Sequence, residues 1–200
     1  DRATTLQAVS TIERNVKLQT QLIDDLLDIA KILRGKLKLA PARVDLALVV
    51  NEAIETVQTA AAAKAITIKP DLQAVGHVWG DEGRLQQIVW NLLSNAIKFT
   101  PEAGQVTITL TQTETVAQIQ VIDTGKGIQP EFLPHIFESF RQEDVSITRQ
   151  HGGLGLGLAI VRYLTEANGG QITADSQGIG KGATFTVTLP LMPATVAAAP

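Results

Sequence analysis

Along the first helical stretch, apolar side chains recur at alternating spacings of three and four. Val9, Ile12, Val16, Ile23, Leu26, Ala30 and Leu33 follow this rhythm, with Gln19 as one polar member of the series. That spacing is the a/d seam of a helix packed against other helices. Leu6, Leu22, Leu27 and Ile29 widen the apolar face, which suits a helical bundle better than a two-stranded seam. Gly35 ends the helix. One such helix cannot bury its face on itself, so the pattern predicts partner helices, either outside this chain or from a second copy.

The pattern then changes. Residues 36–44 read as a connector containing Pro41, and residues 45–64 as a helix with Asp45 as N-cap. Short strands are predicted at Ile66 and Ile68 and around residues 75–79. A helix over 81–99 carries Leu85, Ile88, Val89, Leu92, Leu93, Ala96 and Ile97 on one face, and Pro101 and Gly104 end it. Residues 106–111 and 116–122 alternate with period two, as a paired hairpin does. A glycine- and proline-rich stretch follows, then a helix over 158–168 closed by Gly169 and Gly170. Residues 172–176 and 183–189 form a second hairpin around Gly178, Gly180 and Gly182. Helices and antiparallel hairpins in segregated runs predict an α+β fold: a mixed sheet with helices on one face, preceded by one long amphipathic helix.

Composition narrows the function. Net charge is −3 and no basic run occurs, so no nucleic-acid footprint is expected. No apolar stretch approaches the roughly 20 residues of a membrane helix, so this part of the protein is expected to make no membrane contact. Cysteine is absent, which removes disulfide and thiol chemistry. The chain begins without methionine inside a running helical pattern and is read as a piece of a longer protein.

Four short motifs carry candidate chemistry. Gly152, Gly153, Gly155 and Gly157 alternate with Leu154 and Leu156 and lead straight into a helix. Glycines let backbone approach a ligand, and a helix start presents unpaired N–H groups to an anion such as a phosphate chain. Neither a P-loop nor a Rossmann spacing is present; a flexible surface loop is the plain alternative. Asp123, at the end of an apolar strand and followed by Gly125 and Gly127, could accept a hydrogen bond from an amino group on a flat ring, or simply form a turn. Asn91 and Asn95 share one helix face, with Lys98 three positions on; they could help bind a magnesium–phosphate group, although such a pair taken alone is usually a solvated face. The segment 180–184 reads alone as a hairpin turn.

The order of these motifs is more specific than any one of them. Asn91–Asn95, Asp123–Gly127, Phe137–Phe140, Gly153–Gly157 and Gly180–Thr184 resemble, in sequence order, the N, G1, F, G2 and G3 boxes of sensor histidine kinases. The resemblance extends over about residues 17–190. It implies a two-layer Bergerat-type α/β sandwich that binds ATP and Mg2+. By resemblance, residues 1–40 are the second helix of a dimerisation hairpin plus connector, 41–190 the ATP-binding catalytic domain and 191–200 a linker tail. Asp123 would hold the adenine amino group, with Gly125 and Gly127 shaping the base pocket. Asn91 and Asn95 would face phosphate and magnesium, and Lys98 would contact phosphate. Residues 137–152 would form a lid. Gly153, Leu154, Gly155, Leu156 and Gly157 would cradle phosphate, with Arg149 and Thr184 contributing to the nucleotide site.

The resemblance also implies a cytoplasmic setting, a response-regulator receiver domain as partner, and self-association through the first helix in the full-length protein. The three histidines, His77, His135 and His151, lack the family's acceptor pattern, and the glutamate expected beside an acceptor histidine is missing too. The chain is therefore expected to bind ATP without phosphorylating itself. Departures from the family are Leu154, Gln150 and Lys126, whose side chain can point to solvent. Rival readings are a gyrase- or chaperone-like ATPase, which would need a glutamate where Asn91 stands, a degenerate docking module, and a serine-directed anti-sigma kinase.

Overall fold

The computed structural model describes residues 2–141 and 154–193. The long first helix, α1 (Arg2–Leu33), is followed by β1 (Ala42–Val44), α2 (Leu46–Ala63), β2 (Thr67–Leu72), β3 (Val78–Gly80) and α3 (Glu82–Phe99). Then come β4 (Gln105–Gln112), β5 (Val116–Asp123), a short 3-10 turn (Leu133–His135), α4 (Gly157–Ala167), β6 (Gln171–Asp175) and β7 (Ala183–Pro190). Five strands form one sheet in the order β2-β4-β5-β7-β6, and only the β2–β4 pair is parallel.

Alternation along the strands decides which face is covered. Val106, Ile108 and Leu110 on β4, Ala117, Ile119 and Val121 on β5, and Phe185, Val187 and Leu189 on β7 are buried. They pack with the apolar stripes of α2, α3 and α4 into one core. The residues between them are mostly Thr and Gln, and Gln120 donates to Thr186 Oγ1 across that opposite face at 3.2 Å. A sheet with one apolar and one polar face requires a single layer of helices. The mixed sheet with helices on one side agrees with the expected α+β class.

Several sequence expectations need adjustment. The predicted connector contains a strand: β1 pairs antiparallel with β3 in a separate two-stranded ribbon, Val44 opposite Val78. Three residues are too short to show a period. β2 runs through Pro70, because it lies at the sheet edge, where a missing N–H costs no ladder bond. The expected seam of α1 meets no partner among the described residues: Val9, Ile12, Val16, Ile23 and Leu26 are all exposed. The face that docks uses Asp25, Asp28 and Ile29 instead, and Asp28 accepts from Arg84 and Gln87 of α3, each at 2.8 Å.

Caps set the helix ends. The Asp45 carboxylate accepts from Ala47 N–H and that of Asp81 from Arg84 N–H, so each helix starts one residue after an aspartate. The other end of α3 has an unusual cap. Lys64, just after α2, donates to the carbonyls of Ile97, Lys98 and Thr100 at 2.7, 3.1 and 2.5 Å. A cation here satisfies carbonyls that the helix leaves unpaired and offsets the negative end of its dipole. Lys64→Met should lower the unfolding free energy by about 1–3 kcal/mol, since hydrogen bonds from charged groups contribute on that scale. Thermal denaturation followed by circular dichroism checks this; an unchanged Tm would mean that the three carbonyls do not need Lys64.

Candidate functional site

The ends of β5 and α3 meet at Asp123. Its carboxylate is buried, and Oδ1 accepts from Gly125 N–H at 2.8 Å. A side chain on Gly125 would meet that same Oδ1 and the Phe99 carbonyl oxygen, each at 2.6 Å, so only glycine fits between strand and helix. The Phe99 carbonyl then accepts from Lys126 N–H at 3.2 Å, which lays the turn after β5 along the end of α3. Burial pushes the Asp123 carboxyl above its ordinary value, while N–H groups of Gly125 and Ala183 pull it down.

A second glycine turn straps the first. Gly182 N–H donates to the Gly125 carbonyl at 3.1 Å and Gly180 N–H to the Lys126 carbonyl at 2.6 Å. Gly127 and Gly182 both have positive φ, and a Cβ on either would fall about 2 Å from a backbone oxygen, of Gly178 and Asp123 respectively. The segment 180–184, read from sequence as a plain hairpin turn, therefore clamps the Asp123 loop. The signal was present as paired glycines, but which loop they touch depends on the β5–β7 pairing. Thr184 lies opposite Ile122 on that ladder, one step from Asp123.

Asn91 is buried, and its Nδ2 is a donor with no partner among the described residues. Its Oδ1 lies against Gly157, the first residue of α4, where an added Cβ would come within 3.1 Å. Among the described residues no side chain caps the first turn of α4. Asn95 stands one turn further along α3 and is half-buried. Gly155, with φ +70°, accepts from Phe140 N–H at 3.1 Å and so joins the F-box segment to the glycine run. Leu156 is 1% exposed, so its side chain belongs to the core and only its backbone faces outward chemistry. Leu154 is exposed. Arg149, Gly153, Gln150 and His151 lie outside the described residues.

Lys126 is half-buried, and its ammonium sits 4.9 Å from the centre of the Phe99 ring, with Lys98 Nζ 5.0 Å from the same ring. The bond from Lys126 N–H to Phe99 brings the stem there, and an aromatic face attracts cations. Lys98 is held below its ordinary pKa, first by burial and then by the neighbouring Lys126 charge. Phe99 gave no sequence signal; a lone aromatic at a helix end has no periodic meaning. His77 contacts Arg43 and His135 contacts Glu138. Among the described residues no group of acidic or histidine side chains could hold a metal unaided. A groove of about 560 Å³ opens elsewhere, between α1 and α3, and none of the candidate residues lines it.

Comparison with known proteins shows the family. The family described as "Histidine kinase-, DNA gyrase B-, and HSP90-like ATPase" matches residues 80–193. "Hybrid signal transduction histidine kinase D" of Dictyostelium discoideum is 36% identical, over 96% of this chain and 14% of that protein. "Circadian input-output histidine kinase CikA" of Synechococcus elongatus is 40% identical, over 85% of this chain and 23% of that protein. The crystal structure of full-length ShkA in complex with AMPPNP superposes with a TM-score of 0.80 at 33% identity, covering 94% of this chain and 39% of ShkA. The chain thus spans about a seventh to a quarter of these two curated relatives.

The raised pKa of Asp123 gives a signed expectation. Only the ionised carboxylate accepts a hydrogen bond from a ring amino group on both oxygens, so affinity for adenosine should fall as pH drops. Because burial raises the pKa, the loss should begin above the range of an ordinary aspartate, 3.8. Asp123→Asn should weaken adenosine binding by about tenfold or more and flatten the acid limb. Calorimetric titration at several pH values reads both effects; an identical acid limb in the variant would remove Asp123 from the site.

Proposed function

Because the chain belongs to the family of histidine kinase-, DNA gyrase B- and HSP90-like ATPases, as the catalytic domain of a sensor histidine kinase, we propose that it binds ATP with Mg2+ and presents the γ-phosphoryl group to a histidine outside this chain. The observation that carries this reading is that a buried carboxylate and a buried amide donor with no partner among the described residues each lie beside glycine backbone. The carboxylate, Asp123, waits at the end of β5 between two glycine turns, and the amide donor, Asn91, lies against the start of α4. The first suits the amino group of adenine and the second a phosphate oxygen.

The donor set also suits magnesium. Asn91 and Asn95 offer neutral amide oxygens one helical turn apart, the hard ligands that Mg2+ takes alongside phosphate oxygens and water. When bound, the ion would neutralise phosphate charge. Lys98 would contact phosphate from the last turn of α3, and Gly153, Gly155 and Gly157 would bring backbone close to the chain of phosphates. Arg149 is assigned to the lid by resemblance. Asp123, Gly125, Gly127 and Thr184 would enclose the base.

In the parent reaction the bond between the γ-phosphorus and its bridging oxygen breaks, a phosphorus–nitrogen bond forms on an imidazole, and ADP leaves. Catalysis of such a transfer is mostly positioning and charge neutralisation. Asn91 supports transfer over hydrolysis, since an amide cannot take a proton from water. None of the three histidines is a suitable acceptor by sequence context, so the acceptor belongs elsewhere in the protein. Self-association is supported by the exposed seam Val9, Ile12, Val16, Ile23 and Leu26 on α1. A receiver domain of a response regulator is the proposed next phosphoryl carrier. A cytoplasmic setting is proposed from the use of ATP; no helix among the described residues is long and apolar enough to cross a membrane.

Calorimetry of the full chain should show ATP binding that is tighter with Mg2+ than without it, and Asn95→Ala should lose that increment. Absence of any ATP or ADP binding would favour the docking-module reading. Incubation with γ-labelled ATP should leave no acid-labile label on the chain, and such label would refute an external acceptor. Rapid release of inorganic phosphate would favour the gyrase- or chaperone-like ATPase instead.

A further inference from the structure

A single hydroxyl joins the two glycine turns. Ser176 directly follows β6 and is half-buried. Its Oγ accepts from Ile128 N–H at 3.0 Å and from Gly178 N–H at 3.3 Å, and it donates to the Gly182 carbonyl at 2.7 Å. The Gly182 carbonyl takes the proton because it lies nearer than that of Gly178, which is 3.5 Å away. A hydroxyl has one donor and two acceptor sites, and here all of them are used.

These bonds reach Asp123 because a peptide unit is planar. The Gly182 carbonyl and the Ala183 N–H belong to one such unit. Ser176 holds its carbonyl end, and its N–H end is one of the two that hold the Asp123 carboxyl down against burial. The other is Gly125 N–H, which donates to Asp123 Oδ1, while the Gly125 carbonyl accepts from Gly182 N–H. Both N–H contacts of the carboxylate are thus tied to Gly182, and Gly182 is tied to Ser176. The bond from Ile128, which is buried, anchors Ser176 itself to the core. Gly127, Gly178, Gly180 and Gly182 all have positive φ, so these turns have little stiffness of their own and depend on such a cross-link.

We propose that Ser176 is a positioning residue of the nucleobase pocket: without touching the nucleotide, its hydroxyl fixes the Gly182–Ala183 peptide and, through it, the Asp123 carboxylate that accepts from the base. This rests on the nucleotide-site reading above. The network reaches the base and not the phosphates, since its members lie in the two turns around Asp123, whereas Asn91 and Gly157 meet where α3 passes the start of α4. Adenosine, ADP and ATP therefore depend on Ser176 to the same degree. A serine that only held β6 to β7 would act on stability and leave all three affinities unchanged.

The test is calorimetry of the full chain with adenosine, ADP and ATP, for wild type, Ser176→Ala, Ser176→Thr and Thr188→Ala. Thr188→Ala removes another hydroxyl bond between the same two strands, from Thr188 Oγ1 to the Gln171 carbonyl, at the end of the ladder far from Asp123. Ser176→Ala should weaken all three ligands by about threefold to tenfold, as loss of one neutral hydrogen bond implies. Ser176→Thr keeps the hydroxyl and should stay within about twofold of wild type, and Thr188→Ala should bind as wild type does. If wild type binds the ligands and Ser176→Ala matches it for adenosine, or if Ser176→Thr or Thr188→Ala weakens binding as much as Ser176→Ala, Ser176 has no positioning role and the nucleotide site stands. Should Ser176→Ala fail to fold, amide exchange in the wild type decides. Adenosine should slow exchange at Ile128 and Gly178, whose N–H groups bond to Ser176, and unchanged rates at both overturn the proposal. If wild type binds none of the three ligands, the nucleotide-site reading fails and this inference with it.

Discussion

The junction between a strand end and a helix end organises this domain. Asp123 closes β5, Phe99 closes α3, and the Gly125 peptide is wedged between them, donating to the carboxylate while its missing side chain makes room for the Phe99 carbonyl. A buried carboxylate without compensation is costly. Here backbone N–H groups of Gly125 and Ala183 compensate it in part, and burial still raises its pKa. The remaining acceptor capacity is what a ligand amino group would use. Structure and binding chemistry therefore share the same few atoms.

Helix α3 transmits that constraint to the rest of the site. Its apolar face is sunk in the core through Leu85, Ile88, Val89, Leu92 and Leu93, which leaves its polar positions little freedom. Asn91 is carried against the start of α4, and Lys98 against the Phe99 ring. Lys64 holds the carbonyl end of the same helix from α2. A shift of α3 would therefore disturb the carboxylate loop, the amide at α4 and the lysine pair together.

The long first helix meets this body through both polar and apolar groups. Asp28 accepts from both Arg84 and Gln87, and Ile29 joins the core beside them. A half-buried ion pair of this kind contributes orientation more than net stability. The apolar seam on the other side of α1 stays uncovered among the described residues, as a helix reserved for other helices would be.

Much was legible in the sequence because it depends on local rules. The period of three and four in α1, the alternation in β4 and β5, and the aspartate caps at Asp45 and Asp81 each follow from neighbours a few residues apart. The order of five motifs identified the family, since Asn91, Asp123 and the glycine runs fall in the sequence that its motifs follow. Other features depended on contacts distant in the chain. The strand β1 exists only because β3 pairs with it. Lys64 looked like a helix-ending lysine until α3 came within reach of it. Lys126 gave no sign of the Phe99 ring beneath it, and the 180–184 turn looked merely structural until β7 paired with β5 and laid it on Asp123. Sequence thus determined the elements and the reactive residue types, because periodicity and capping act within a turn or a strand. Tertiary structure alone decided which backbone groups each residue meets, because those contacts arise from sheet order and helix docking, which no local window contains.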